Sequence, residues 1–134
     1  MSETTSNKFM LIFRGTDWHK GLSPEESQQV AQHWMNWFAR LTAEGQAIAG
    51  NPLEPTGKLI SGKNGRVVAD GPFAESKEAI GGYFLLQVNT LEDAVAIARQ
   101  CPALPHGIEI EVRPVAGLCP ALQEAGVEAA HTMA

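Results

Sequence analysis

The chain has 134 residues, 44% of them hydrophobic, and 15 acidic against 10 basic side chains give it a formal charge of −5. That length supports one domain with its own core, and the dispersed negative charge excludes the electrostatic footprint of a nucleic-acid or anionic-membrane binder. No apolar run reaches the length of a membrane span, and the polar opening lacks the apolar stretch of a secretion signal, so a cytoplasmic setting is expected.

Residues 1–7 are expected to form a loose leader. Lys8–Arg14 reads as a strand with both faces apolar, Phe9, Leu11 and Phe13 on one and Met10 and Ile12 on the other, which is the pattern of a central strand. The loop after it carries Asp17, Trp18, His19 and Lys20, an aromatic–histidine pair able to gate a pocket or simply to pack. Ser23-Pro24-Glu25-Glu26 then opens a helix: Ser23 caps it, Pro24 suits its first position and Glu26 completes a capping box. The helix is predicted over 24–44, stopped by Gly45, with Val30, Trp34, Trp37, Phe38 and Leu41 as its apolar stripe. His33 falls on the polar side of that helix.

A short strand is predicted over 46–49, followed by a Pro-rich turn through 50–57. Residues 58–61 and 66–69 flank Asn64-Gly65, a hairpin signal. A strand over 81–88 has one wholly apolar face, Phe84, Leu86 and Val88. Thr90 caps a second helix ending near Gln100, with Leu91, Ala94, Val95 and Ala98 on its buried side. The last strand, 108–114, alternates Ile108, Ile110 and Val112 with Glu109, Glu111 and Arg113. The Ala-rich end, 116–134, reads as an extension with a weak helix near 120–130. Cys101 and Cys119 have no neighbouring His at ligand spacing. Cys101 also sits at the C-terminal end of a predicted helix, where the dipole disfavours a thiolate. Both are expected to be free, inert thiols, a Cys–His nucleophile being the alternative; no metal or cofactor is expected.

The densest chemistry lies in Asp70-Gly71-Pro72-Phe73-Ala74-Glu75-Ser76-Lys77-Glu78. Asp-Gly-Pro is turn chemistry, Phe73 is an apolar anchor, and the remaining side chains are mostly charged. Such a loop either places polar groups accurately or merely joins two strands. Its first six residues, with Lys77-Glu78 and Gly81-Gly82-Tyr83 behind them, resemble the signature of the DGPF-motif branch of the YCII-related family. Met10-Leu11-Ile12-Phe13-Arg14-Gly15, Leu22-Ser23-Pro24-Glu25-Glu26, Leu53-Glu54-Pro55-Thr56-Gly57-Lys58 and Val112-Arg113-Pro114 agree in order, so the resemblance spans about residues 8–115 as a single domain.

The resemblance implies a ferredoxin-like α+β sandwich, βαββαβ with an extra hairpin, forming sheet-to-sheet dimers of the dimeric α/β-barrel type with pockets between the sheets. It brings no defined reaction. Many members carry a His on the first helix, proposed to pair with an Asp; here that position falls nearer Trp34 than His33. Family members also resemble companions of alternative sigma factors in genomic setting, which implies a non-enzymatic regulatory or accessory module as the second reading.

Both helices must cover one sheet face, so period-2 parity sends Arg14, Tyr83, Leu85, Gln87, Glu109, Glu111 and Arg113 to the other, with Met10 and Ile12. A face so mixed commonly meets a partner across a cleft. The first reading is therefore a homodimer binding a small polar molecule in that cleft. Arg14, Tyr83, Glu111 and Arg113 would line the rim, the loop of Asp70 and Phe73 would lie over it, Asp70 and Glu75 would be candidate bases, and Lys77 and Arg14 anion binders. No nucleophile elbow, phosphate loop or metal signature is present, so a cofactor-independent reaction is the default if chemistry occurs.

Overall fold

Large apolar residues at every second position build the centre of the sheet. In the computed structural model, which describes residues 7–15, 17–71, 79–117 and 119–126, β1 (Lys8–Arg14) buries Phe9, Leu11 and Phe13 and leaves Met10 and Ile12 half-buried. It is hydrogen-bonded on both sides, to β5 (Ile80–Gln87) and to β6 (Glu109–Pro114), with β2 (Ala47–Pro52) outside β5. The order β2-β5-β1-β6 is antiparallel throughout. The register sets Leu11 opposite Phe84 and Val112, and Ile12 opposite Tyr83 and Glu111. Among the described residues the architecture is mixed α+β, with two antiparallel sheets and three helices.

Helix α1 (Pro24–Ala43) begins as its sequence requires. The Ser23 hydroxyl accepts from the Glu26 amide at 3.1 Å and the Glu26 carboxylate accepts from the Ser23 amide at 2.9 Å. Gly45, at φ +77°, takes the left-handed conformation that ends it. Val30, Trp37 and Leu41 are buried, while Trp34 and Phe38 are only partly so. Helix α2 (Leu91–Ala98) starts at Thr90, whose hydroxyl accepts from the Asp93 amide. α1 and α2 share one core cluster with Phe9, Leu11, Phe13, Phe84, Leu86 and Ile108, so both lie on the face that parity assigned to them. Gln100 ties them together, its Oε1 accepting from Trp37 Nε1 at 3.1 Å and from Arg40 at 3.0 Å.

Three expectations are corrected. β2 does not end at residue 49 but continues through Gly50, Asn51 and Pro52, pairing Asn51 with Tyr83 and Pro52 with Gly82. An edge strand tolerates a proline because its outer side needs no donor. On α2 the buried positions are Ala94, Ile97 and Ala98, whereas Leu91 is exposed; in so short a helix, the first turn lies at the rim of the core. The helix in the C-terminal extension covers Pro120–Glu124, shorter than expected.

The hairpin is β3 (Lys58–Ser61) paired with β4 (Val67–Asp70) in a sheet of its own. Its connection is longer than a two-residue turn. Lys63–Gly65 forms a 3-10 turn with Asn64 at φ +60°, so the Asn-Gly signal marks the hairpin while the turn type differs.

Candidate functional site

β1 and β6 bring the charged groups of the open sheet face together. Arg14 ends β1 and reaches diagonally across to Glu111, its NH1 donating to Oε1 at 2.8 Å. Arg113, two positions along β6 and on the same face, lies with NH1 3.7 Å from Glu111 Oε2. Glu111 thus sits between two guanidiniums and is half-buried beside Ile12, its partner across the ladder. Tyr83 lies across β1 on the same face, where its hydroxyl accepts from Asn51 Nδ2 at 3.3 Å. Arg14, Tyr83, Glu111 and Arg113 therefore share one face, as parity requires, embedded in the half-buried Met10, Ile12 and Leu85.

Asp70 belongs to a different neighbourhood. It ends β4 opposite Lys58 in the hairpin register and forms an ion pair with it; both side chains are mostly exposed. Gly71 N donates to Gly57 O at 2.7 Å, so the backbone after Asp70 is tied to the hairpin base. Phe73, Glu75 and Lys77 lie outside the described residues. His33 is exposed on α1. Cys101 and Cys119 are free, and burial pushes the Cys101 thiol up to about 11 against the weaker opposing effect of backbone hydrogen bonds at Ala103 and Leu104. Among the described residues, no group of three or more His, Cys, Asp or Glu is placed to hold a metal ion.

The marked concavity lies elsewhere. A pocket of about 820 Å³ opens between the first half of α1, the loop after β1, the end of β2 and the start of β5. Its walls include Phe13, Trp18, Trp34, Met35, Phe38 and Phe84. Sequence reasoning assigned Trp34 and Phe38 to the core and noted only Trp18 and His19 as candidate gates. The stripe of α1 held a usable signal: it carries more aromatic bulk than the sheet beneath it covers, and Trp34 and Phe38 are the residues left part-open.

Fold and site together define a small α+β protein with a charged, half-buried sheet face on one side and an aromatic pocket on the other. The YCII-related domain matches residues 8–116, and the chain belongs to that family. It is also 43% identical over 51 residues to an uncharacterised protein of Rhizobium meliloti (strain 1021), a match covering 37% of this chain and 41% of that relative's length. Among the described residues, no helix is long and apolar enough to cross a membrane.

Proposed function

We propose that the chain is a cytoplasmic homodimer of the DGPF-motif branch that pairs through its open sheet face and binds a small polar molecule in the cleft between subunits. The observation that carries this reading is Glu111, half-buried between Arg14 and Arg113 on a face otherwise made of Met10, Ile12 and Leu85. Apolar surface of that kind is stabilised by covering it, and two-fold pairing covers it with itself. Charges of both signs at its rim suit a small polar ligand. The strand order β2-β5-β1-β6, with α1 and α2 on one face, supports a ferredoxin-like sandwich, and free thiols at Cys101 and Cys119 support a reducing compartment.

On this reading Asp70 and Glu75 are the candidate bases of a cofactor-independent reaction if turnover occurs, and Phe73 and Lys77 are further candidate ligand contacts. The second reading, an accessory module in sigma-factor signalling, keeps the dimer and dispenses with the ligand. Sedimentation equilibrium at micromolar concentration tests the common element. The wild type is expected to be a dimer, and Ile12→Glu or Leu85→Glu a folded monomer. A monomeric wild type overturns both readings. A dimer whose melting temperature is raised by no small amino acid or dicarboxylate, in a panel of both, favours the second.

A further inference from the structure

On the helical side of the sheet, α1 turns rings towards the sheet that nothing in the core fully covers. Phe13 meets Trp34 edge-on at 4.9 Å, Phe84 meets Phe38 at 4.7 Å, and Trp34 touches Trp37 at 5.6 Å. Trp18, from the loop after β1, stacks on Trp34 at 6.2 Å with the planes only 14° apart. Each ring is braced by others, so the walls of the 820 Å³ pocket are held in place before anything enters. The floor depends on one small residue. At Gly50 a Cβ would sit 2.7 Å from Phe84 and 2.9 Å from Phe38, so any larger residue would push those rings into the space.

We infer that this pocket is a second binding site, built within one chain, for a flat and largely apolar aromatic molecule. The volume falls within the range of small-molecule sites, roughly 300–1,000 Å³. Rigid ring walls favour another planar ring, which gains edge and face contacts that a flexible aliphatic chain cannot make without losing conformational freedom. His19 and Ser27 at the margin offer a few polar contacts that orient such a ring. The site lies across the sheet from the Arg14–Glu111–Arg113 cluster, because Phe13 and Phe84 point to the face opposite Arg14 and Glu111.

The neutral fluorophore N-phenyl-1-naphthylamine tests the assignment. Saturable binding at one per chain, with quenching of tryptophan emission, is expected. Two exposed positions on the pocket wall carry the blocking variants, Ala31→Trp and Met35→Glu, neither of which removes a buried contact. Each should weaken binding by about tenfold or more while circular dichroism stays unchanged. 2-Naphthol should displace the probe and decanol should not. No saturable binding, equal binding by both variants, or displacement by decanol as effective as by 2-naphthol overturns the inference. Ile12→Glu, on the opposite face, should leave probe binding unchanged. Probe binding that disappears in that variant means the pocket needs a second copy, and likewise overturns it.

Discussion

Cys101 shows how one buried group responds to the core around it. Its thiol ordinarily ionises near 9.0 and is pushed up to about 11, because the thiolate would be stripped of water in a site only 3% exposed. The unfolded chain therefore loses this proton at lower pH than the folded one. Stability from this group is complete below about pH 9 and declines as pH rises towards 11, by up to about 3 kcal/mol at roughly 1.4 kcal/mol per unit. Chemical denaturation between pH 8 and 11 should give a steeper fall for the wild type than for Cys101→Ala, and matching slopes would disprove the assignment. The sequence expectation rested on the helix end, but the cause that raises the thiol is desolvation, which only the folded core supplies, while the backbone groups of Ala103 and Leu104 lower it. Asp70 illustrates the opposite situation. Its turn chemistry was evident, yet its Lys58 partner depends on cross-strand register, which local spacing does not fully specify.

At the scale of elements, α1 and β2 meet through Gly50. The strand continues past Ala49 because Gly50 pairs with Phe84 in the ladder and lets Phe38 and Phe84 close over the backbone. Gly50→Ala would bring a methyl group into both rings and within 3.1 Å of the Tyr83 carbonyl oxygen. Since ring and backbone must shift, a loss of about 1–3 kcal/mol is expected in urea unfolding. An unchanged midpoint would show that the two aromatic rings yield freely. The N-terminal end of α1 was fully readable, since capping is local chemistry written within four residues. The division of its stripe into buried Trp37 and part-open Trp34 was not, because both positions look the same by helical periodicity.

Across the whole molecule, stability is unevenly spread. β1 is paired on both sides and backs onto the core, whereas among the described residues β3 and β4 pair only with each other and expose Leu59, Ile60, Val67 and Val68. A two-stranded hairpin is marginal by itself in water. Amide exchange in dilute protein should therefore be at least about a hundredfold slower in β1 and β5 than in β3 and β4. Equal protection would mean that the hairpin is covered by another copy, and protection that grows with concentration would identify the open-face dimer or an arm exchange as its source.

The sequence by itself determined the element order, the helix starts, the hairpin and the two faces of the sheet. These follow from period-2 and helical patterning, capping and turn chemistry, all of which act over a few residues. Tertiary structure alone decided how far β2 runs, because Pro52 is acceptable only once β2 proves to be an edge. It also decided that Arg14 reaches Glu111 across 97 positions of chain, and that Trp18 stacks on Trp34 to wall a pocket. Those contacts depend on strand register and on where a loop folds back, and both are set by the packing of the whole core rather than by any one stretch of the chain.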